Sequence, residues 1–174
     1  MKKKPSKWIK WGAAALIAAV GVGALLLPLP TKIERQLSGA AFAGAPDEEM
    51  TPCEVCIQGT LYRYLIRPDV FDGRLTLSCD PRTAQRGAHL NTDITREHVS
   101  PLTYVYDSGT PQQPGVDALG YFLSDDALNW VYVRLKDEQG AVRDVAAPAQ
   151  TPEQALALRE LAAARTPVGV LPEY

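Results

Sequence analysis

The chain has 174 residues, of which 46% are hydrophobic and 22% charged, with a net charge of −2. That balance suits one globular domain with a short appendage. The net value hides an asymmetry: residues 1–44 carry seven Lys/Arg and one Glu, a charge of +6, and residues 45–174 carry eleven Lys/Arg and nineteen Asp/Glu, a charge of −8. An acidic main part argues against nucleic acid as a partner.

The basic end comes first. Residues 1–11 hold five lysines, Lys2, Lys3, Lys4, Lys7 and Lys10, and read as a cytoplasmic tail. The nineteen residues from Trp11 to Leu29 carry no charge. As a helix they would span roughly 28 Å at ~1.5 Å per residue, close to the thickness of a bilayer's hydrocarbon core. Residues 12–29 therefore predict a transmembrane signal-anchor helix, with Trp8 and Trp11 at the boundary and Pro28 and Pro30 ending it. The lysine cluster predicts an N-terminus in the cytoplasm and everything after residue 30 outside. The expected location is a single-pass protein of the cell membrane with an extracytoplasmic domain. The competing reading is a cleaved signal peptide, cut after Ala43 at the small-x-small sequence of residues 41–43.

Residues 30–50 show no sustained period and hold small residues, two prolines and an acidic trio, which reads as a linker. From residue 51 to 174 the pattern is that of a β-rich domain. Val55, Ile57, Leu61 and Leu65 alternate with polar residues, a period near two. The stretch PDVFDG, with Pro68 and Gly73, reads as a hairpin loop, and residues 74–80 resume the alternation with Leu75, Leu77 and Cys79 on one face. Residues 81–87 read as a turn and 88–99 as a weak strand. Stronger strands follow at 102–108, 118–124, 129–137 and 141–148.

The last element is different. Thr151, Pro152, Glu153 and Gln154 form a helix start signal, and Ala155, Leu158, Leu161 and Ala162 recur at helical spacing, so residues 151–165 predict a helix. The expected fold is mainly β: a small antiparallel sheet of six to seven strands, curled into a sandwich or partial barrel, with one C-terminal helix and the transmembrane helix in front.

Three features bear on chemistry. Cys53, Cys56 and Cys79 with His89 or His98 are the residue types of a zinc site, but the second half lacks a paired motif. Pairing 60–67 with 73–80 would set Cys79 opposite Leu61, ~17 Å along the strand from Cys56. That register predicts a buried, reduced Cys79, and Cys53 and Cys56 either bridged locally or free. The second feature is YVYDSGT at 104–110, which resembles the catalytic loop of aspartic proteases. The resemblance would make Asp107 catalytic, with a second Asp supplied by dimerisation. The third is the pair Asp125 and Asp126, which reads as a turn. No EF-hand loop, P-loop, dinucleotide fingerprint or nucleophile elbow is present.

The anchor, the β-domain and the segment PAQTPEQAL at 148–156 together resemble small exported proteins of bacteria, a resemblance that brings no activity with it. The expectation is a membrane-anchored, extracytoplasmic, non-enzymatic module that binds a protein or envelope component. It has no cofactor, no metal and no catalytic residues, and it meets the membrane through residues 12–29. The alternative is an enzyme, either an aspartic-type protease using Asp107 or a zinc-dependent hydrolase using Cys53, Cys56, Cys79 and His89.

Overall fold

The computed structural model describes residue 21 and residues 27–44, 46, 49–93, 99–106, 115–136 and 140–166. Among the described residues, eight antiparallel strands close into a barrel in simple chain order. They are β1 (Leu29–Phe42), β2 (Met50–Arg63), β3 (Val70–Leu77), β4 (Ala88–Asp93), β5 (Val99–Tyr106), β6 (Gly115–Ser124), β7 (Val131–Lys136) and β8 (Val142–Ala147). Two helices whose full extent lies among the described residues accompany them, α1 (Pro81–Arg86) and α2 (Pro152–Arg165). The mainly β, antiparallel expectation holds. The strand count rises to eight, and the wall is closed, because β1 pairs with β8 as well as with β2.

β1 corrects the reading of residues 30–50 as a linker. The segment is short of β-branched residues and interrupted by Gly39, so its pattern is weak, yet it pairs residue for residue with β2 from Leu29 to Phe42. Tertiary pairing has overridden a poor local signal. Leu29, the last residue of the expected membrane span, is the first residue of this strand. No helix among the described residues is long and apolar enough to cross a membrane. Residues 12–20 and 22–26 of the expected span lie outside the described residues.

Alternation along the strands fills the barrel. Val55, Ile57 and Leu61 from β2, Phe71, Leu75 and Leu77 from β3, and Val131, Val133 and Leu135 from β7 are all buried in one cluster, to which every strand contributes. An eight-stranded barrel has an interior just wide enough for side chains to fill it. Following the pairings from Ile33 through Gly59, Gly73 and Leu90 round the wall returns the ladder to β1 about ten residues further on, the stagger a tilted barrel requires. The stagger explains why β8 reaches only Ala40, Ala41 and Phe42 of β1. Ala149 adds one further bond, its N–H donating to the Ser38 carbonyl at 3.3 Å.

The β2–β3 hairpin also differs from expectation. Its turn is residues 64–69, and the register pairs Val55 with Leu77 and Tyr62 with Val70. Gly73 was the reason to expect a loop there. It lies instead within β3, directly opposite Gly59. A Cβ on Gly59 or Gly73 would lie 2.7 or 2.6 Å from the Phe71 ring. The two glycines make room for an aromatic side chain that crosses both strands, which is a close-approach role and not a turn role.

A second apolar layer lies outside the wall. Phe42, Leu123, Tyr132 and Ala146 meet Ala149, Ala155 and Ala162, with Leu158 packed beside them, so α2 covers the outer face of β7 and β8. The docking face is narrower than the sequence spacing implies, because Leu161 is exposed. Small alanines let the helix lie close to the sheet. The start signal forms as expected: the Thr151 hydroxyl accepts from the Gln154 N–H at 3.4 Å, while the Gln154 side chain reaches back to the N–H of Gln150 at 2.8 Å. Glu153 in the first turn has its pKa lowered by the backbone N–H at its own position and by the Thr151 hydroxyl. Thr151→Ala should lower stability by about 1 kcal/mol, measured as a shift in urea midpoint at unchanged slope. No shift would mean that this cap contributes nothing to the docked helix.

Candidate functional site

The three cysteines sort by strand parity. Residues three apart on a strand point to opposite faces. Cys53 is buried with Val55 and Ile57 on the inner face, whereas Cys56 faces outward between Gln36 and Thr76. Cys53 is bridged to Cys79, with their Cα atoms 5.2 Å apart, and Cys56 is a free thiol. This overturns the expectation of a reduced Cys79 and of a local Cys53–Cys56 pair. The error lay in the hairpin register. With β2 and β3 paired as they are, Cys53 and Cys79 fall two residues beyond the Val55–Leu77 pair, within reach of a disulfide.

The zinc set therefore does not converge. Two of its thiols are joined to each other, Cys56 is on the other side of the wall, and His89 faces outward on β4. There His89 lies 3.3 Å from Asp72, and both side chains are about half exposed. No group of three or more metal-binding side chains exists among the described residues. His98 and Asp107 lie outside the described residues. Asp125 closes the turn between β6 and β7: its carboxylate accepts from the Asn129 N–H at 2.6 Å and from the Asn129 amide at 2.9 Å.

The strongest buried polar feature gave no sequence signal. Arg134 on β7 and Asp144 on β8 are cross-strand partners on the outer face. Two parallel hydrogen bonds of 2.8 and 2.9 Å join them, and their side chains are 7% and 1% exposed. The Tyr132 hydroxyl is buried beside Asp144; burial first, then the Asp144 carboxylate, pushes its pKa above the usual tyrosine range. Arg159 of α2 donates to the Gly44 carbonyl at 3.0 Å. That bond ties α2 to the segment just after β1, while the Arg134–Asp144 pair joins β7 to β8.

The remaining candidate is the end of the barrel where β1 begins. Leu29 lies opposite Arg63, the last residue of β2, so the turn 64–69 stands beside Leu27 and Pro28. Leu27, Leu29, Leu65 and Ile66 are exposed there. Arg67 stacks over the Tyr64 ring at 3.7 Å, and the Tyr64 N–H donates to the Asp69 carboxylate at 3.0 Å. The loop is thus held by its own contacts while its two aliphatic residues point away from the protein. Next to it, β1 is open on the edge turned away from β2: beyond Ser38, no described strand pairs with residues 29–37 on that side. Lys32, Glu34, Arg35 and Gln36 line this stretch, and edge charges of this kind discourage pairing with a second sheet.

Comparison with known proteins finds no matching family, no matching curated protein and no matching solved structure.

Proposed function

We propose that the chain is a non-enzymatic barrel module on the outer side of a membrane, held there by the apolar run that precedes β1 and binding a protein or envelope component through its outer surface. The observation that carries this reading is the position of β1: the barrel wall starts at Leu29, where the apolar run ends, with no spacer between them. A barrel joined in this way rests against the bilayer, and its partners are those found at the membrane surface.

Two further observations support the reading. A disulfide between Cys53 and Cys79 suits an oxidising compartment. Cleavage after Ala43 would sever β1 from the chain although Ala41 and Phe42 are buried and paired on both sides, which favours an intact anchor. The filled interior directs any partner to the outside of the wall.

The test is topological. Gln150→Cys, in a Cys56→Ser background, places a thiol at an exposed position. In spheroplasts it should react with a membrane-impermeant maleimide, and the protein should stay with the membrane after carbonate extraction. Reaction only after lysis would reverse the orientation. A mature N-terminus at Gly44 would remove the anchor.

A further inference from the structure

We propose that the β2–β3 turn is a second membrane contact, with Leu65 and Ile66 inserted in the outer leaflet and Arg63 and Arg67 at its phosphates. The inference rests on the anchor reading, since it takes the bilayer to lie where the apolar run ends. Its grounds are geometric. Leu27, Leu29, Leu65 and Ile66 are 65%, 62%, 66% and 63% exposed, the four most exposed large hydrophobic residues described, and the pairing of Leu29 with Arg63 gathers them at one end of the barrel. Aliphatic groups so exposed are far from typical burial, and a neighbouring hydrocarbon phase would take them up.

The charges fit the same occupant. Residues 45–174 are acidic as a whole, yet residues 62–69 carry two arginines and one aspartate. That aspartate, Asp69, is turned inward onto the Tyr64 N–H. The guanidinium groups of Arg63 and Arg67 are left beside the aliphatic tip, in the arrangement of a short interfacial anchor with basic residues at headgroup level. Tyr62 and Tyr64, both half-buried, stand at the depth where amphipathic rings prefer the interface. A protein partner would have to reach this tip between the barrel and the bilayer surface, whereas lipid is already there. With the span and the turn both engaged, the barrel has two attachment points and cannot swing about a single tether.

The experiment uses the full chain in vesicles of phosphatidylcholine and phosphatidylglycerol at three to one. Spin labels are placed singly, in the Cys56→Ser background, through Ile66→Cys, Ala18→Cys and Ala43→Cys. Ala43 is exposed at the opposite end of the barrel and serves as the aqueous reference. Labels at 18 and 66 should collide with oxygen far more than with a polar nickel chelate, and the label at 43 should show the reverse. A label at 66 as accessible to nickel as that at 43, with 18 in lipid, would overturn the turn insertion and leave the anchor standing. Lipid exposure at 66 with 18 in water would support the turn contact and overturn the anchor. Water exposure at both sites would overturn both. Ile66 is exposed and makes no core contact, so thermal melting of that variant should match its background, and a lower melting point would disqualify that site in favour of Leu65→Cys.

Discussion

Arg134→Met should destabilise the barrel by about 3–5 kcal/mol, because it leaves the Asp144 carboxylate buried without its partner. Domains of this size are stable by only ~5–15 kcal/mol, so the single variant approaches the unfolding threshold. The two side chains sit 7% and 1% exposed, and the paired bonds of 2.8 and 2.9 Å satisfy both oxygens of the carboxylate. The double variant Arg134→Met with Asp144→Leu should recover most of the loss, since two apolar groups of similar volume need no compensation. Urea melts of the two single variants and the double variant measure the coupling. Single-variant losses below about 1 kcal/mol would mean that the pair is hydrated in solution.

Opening the Cys53–Cys79 bridge should cost about 3 kcal/mol. The bridge closes a loop of 26 residues in sequence separation, and constraint of the unfolded chain grows slowly with loop length. Cys79→Ser should therefore lower the urea midpoint strongly. A reductant should do the same to the native chain while leaving the Cys79→Ser variant unchanged. Cys56→Ser should be close to neutral, because that thiol is free and faces outward. A Cys56→Ser loss as large as that of Cys79→Ser would mean that the bridge uses the other cysteine, and peptide mapping of the non-reduced, alkylated chain would identify it.

The sequence carried enough information to find this bridge. Cys79 shares a face with Leu75 and Leu77, and Cys53 shares one with Val55 and Ile57, whereas Cys56 falls between them at odd spacing. Parity alone pairs 53 with 79. The expectation failed because Gly73 and Pro68 were given the turn together, which moved the hairpin register by several residues; Gly73 sits in the ladder to make room for Phe71. Strands β5 to β8 and helix α2 were legible because their alternation and capping residues are strong and local. β1 was not, since a strand held by neighbours far along the chain need not carry a pattern of its own. The same holds for Arg134 and Asp144, ordinary strand residues until β7 meets β8. Of the expected zinc set only Cys53 and Cys79 meet, and they do so as a disulfide; the apolar tip at Leu65 and Ile66 reads as strand in the sequence but lies in the turn.

The narrow seam between β8 and β1 has a consequence for biogenesis. Among the described residues, Ala40, Ala41 and Phe42 pair across the seam and Ser38 adds one bond, and the strand partners, Asp144 to Ala146, lie more than a hundred residues later in the chain. If the N-terminal run enters the membrane first, the earliest strand emerges with one side bare and waits for nearly the whole domain to be translocated. Pairings between distant segments form slowly, because the intervening chain must first be brought into order. During that interval the newborn hairpin exposes hydrogen-bonding backbone to every neighbouring nascent chain. On the proposed topology, the charged residues at 32, 34 and 35 guard that edge during export, and their removal should show first as lower yield of exported protein and only later as a change in the finished barrel's stability.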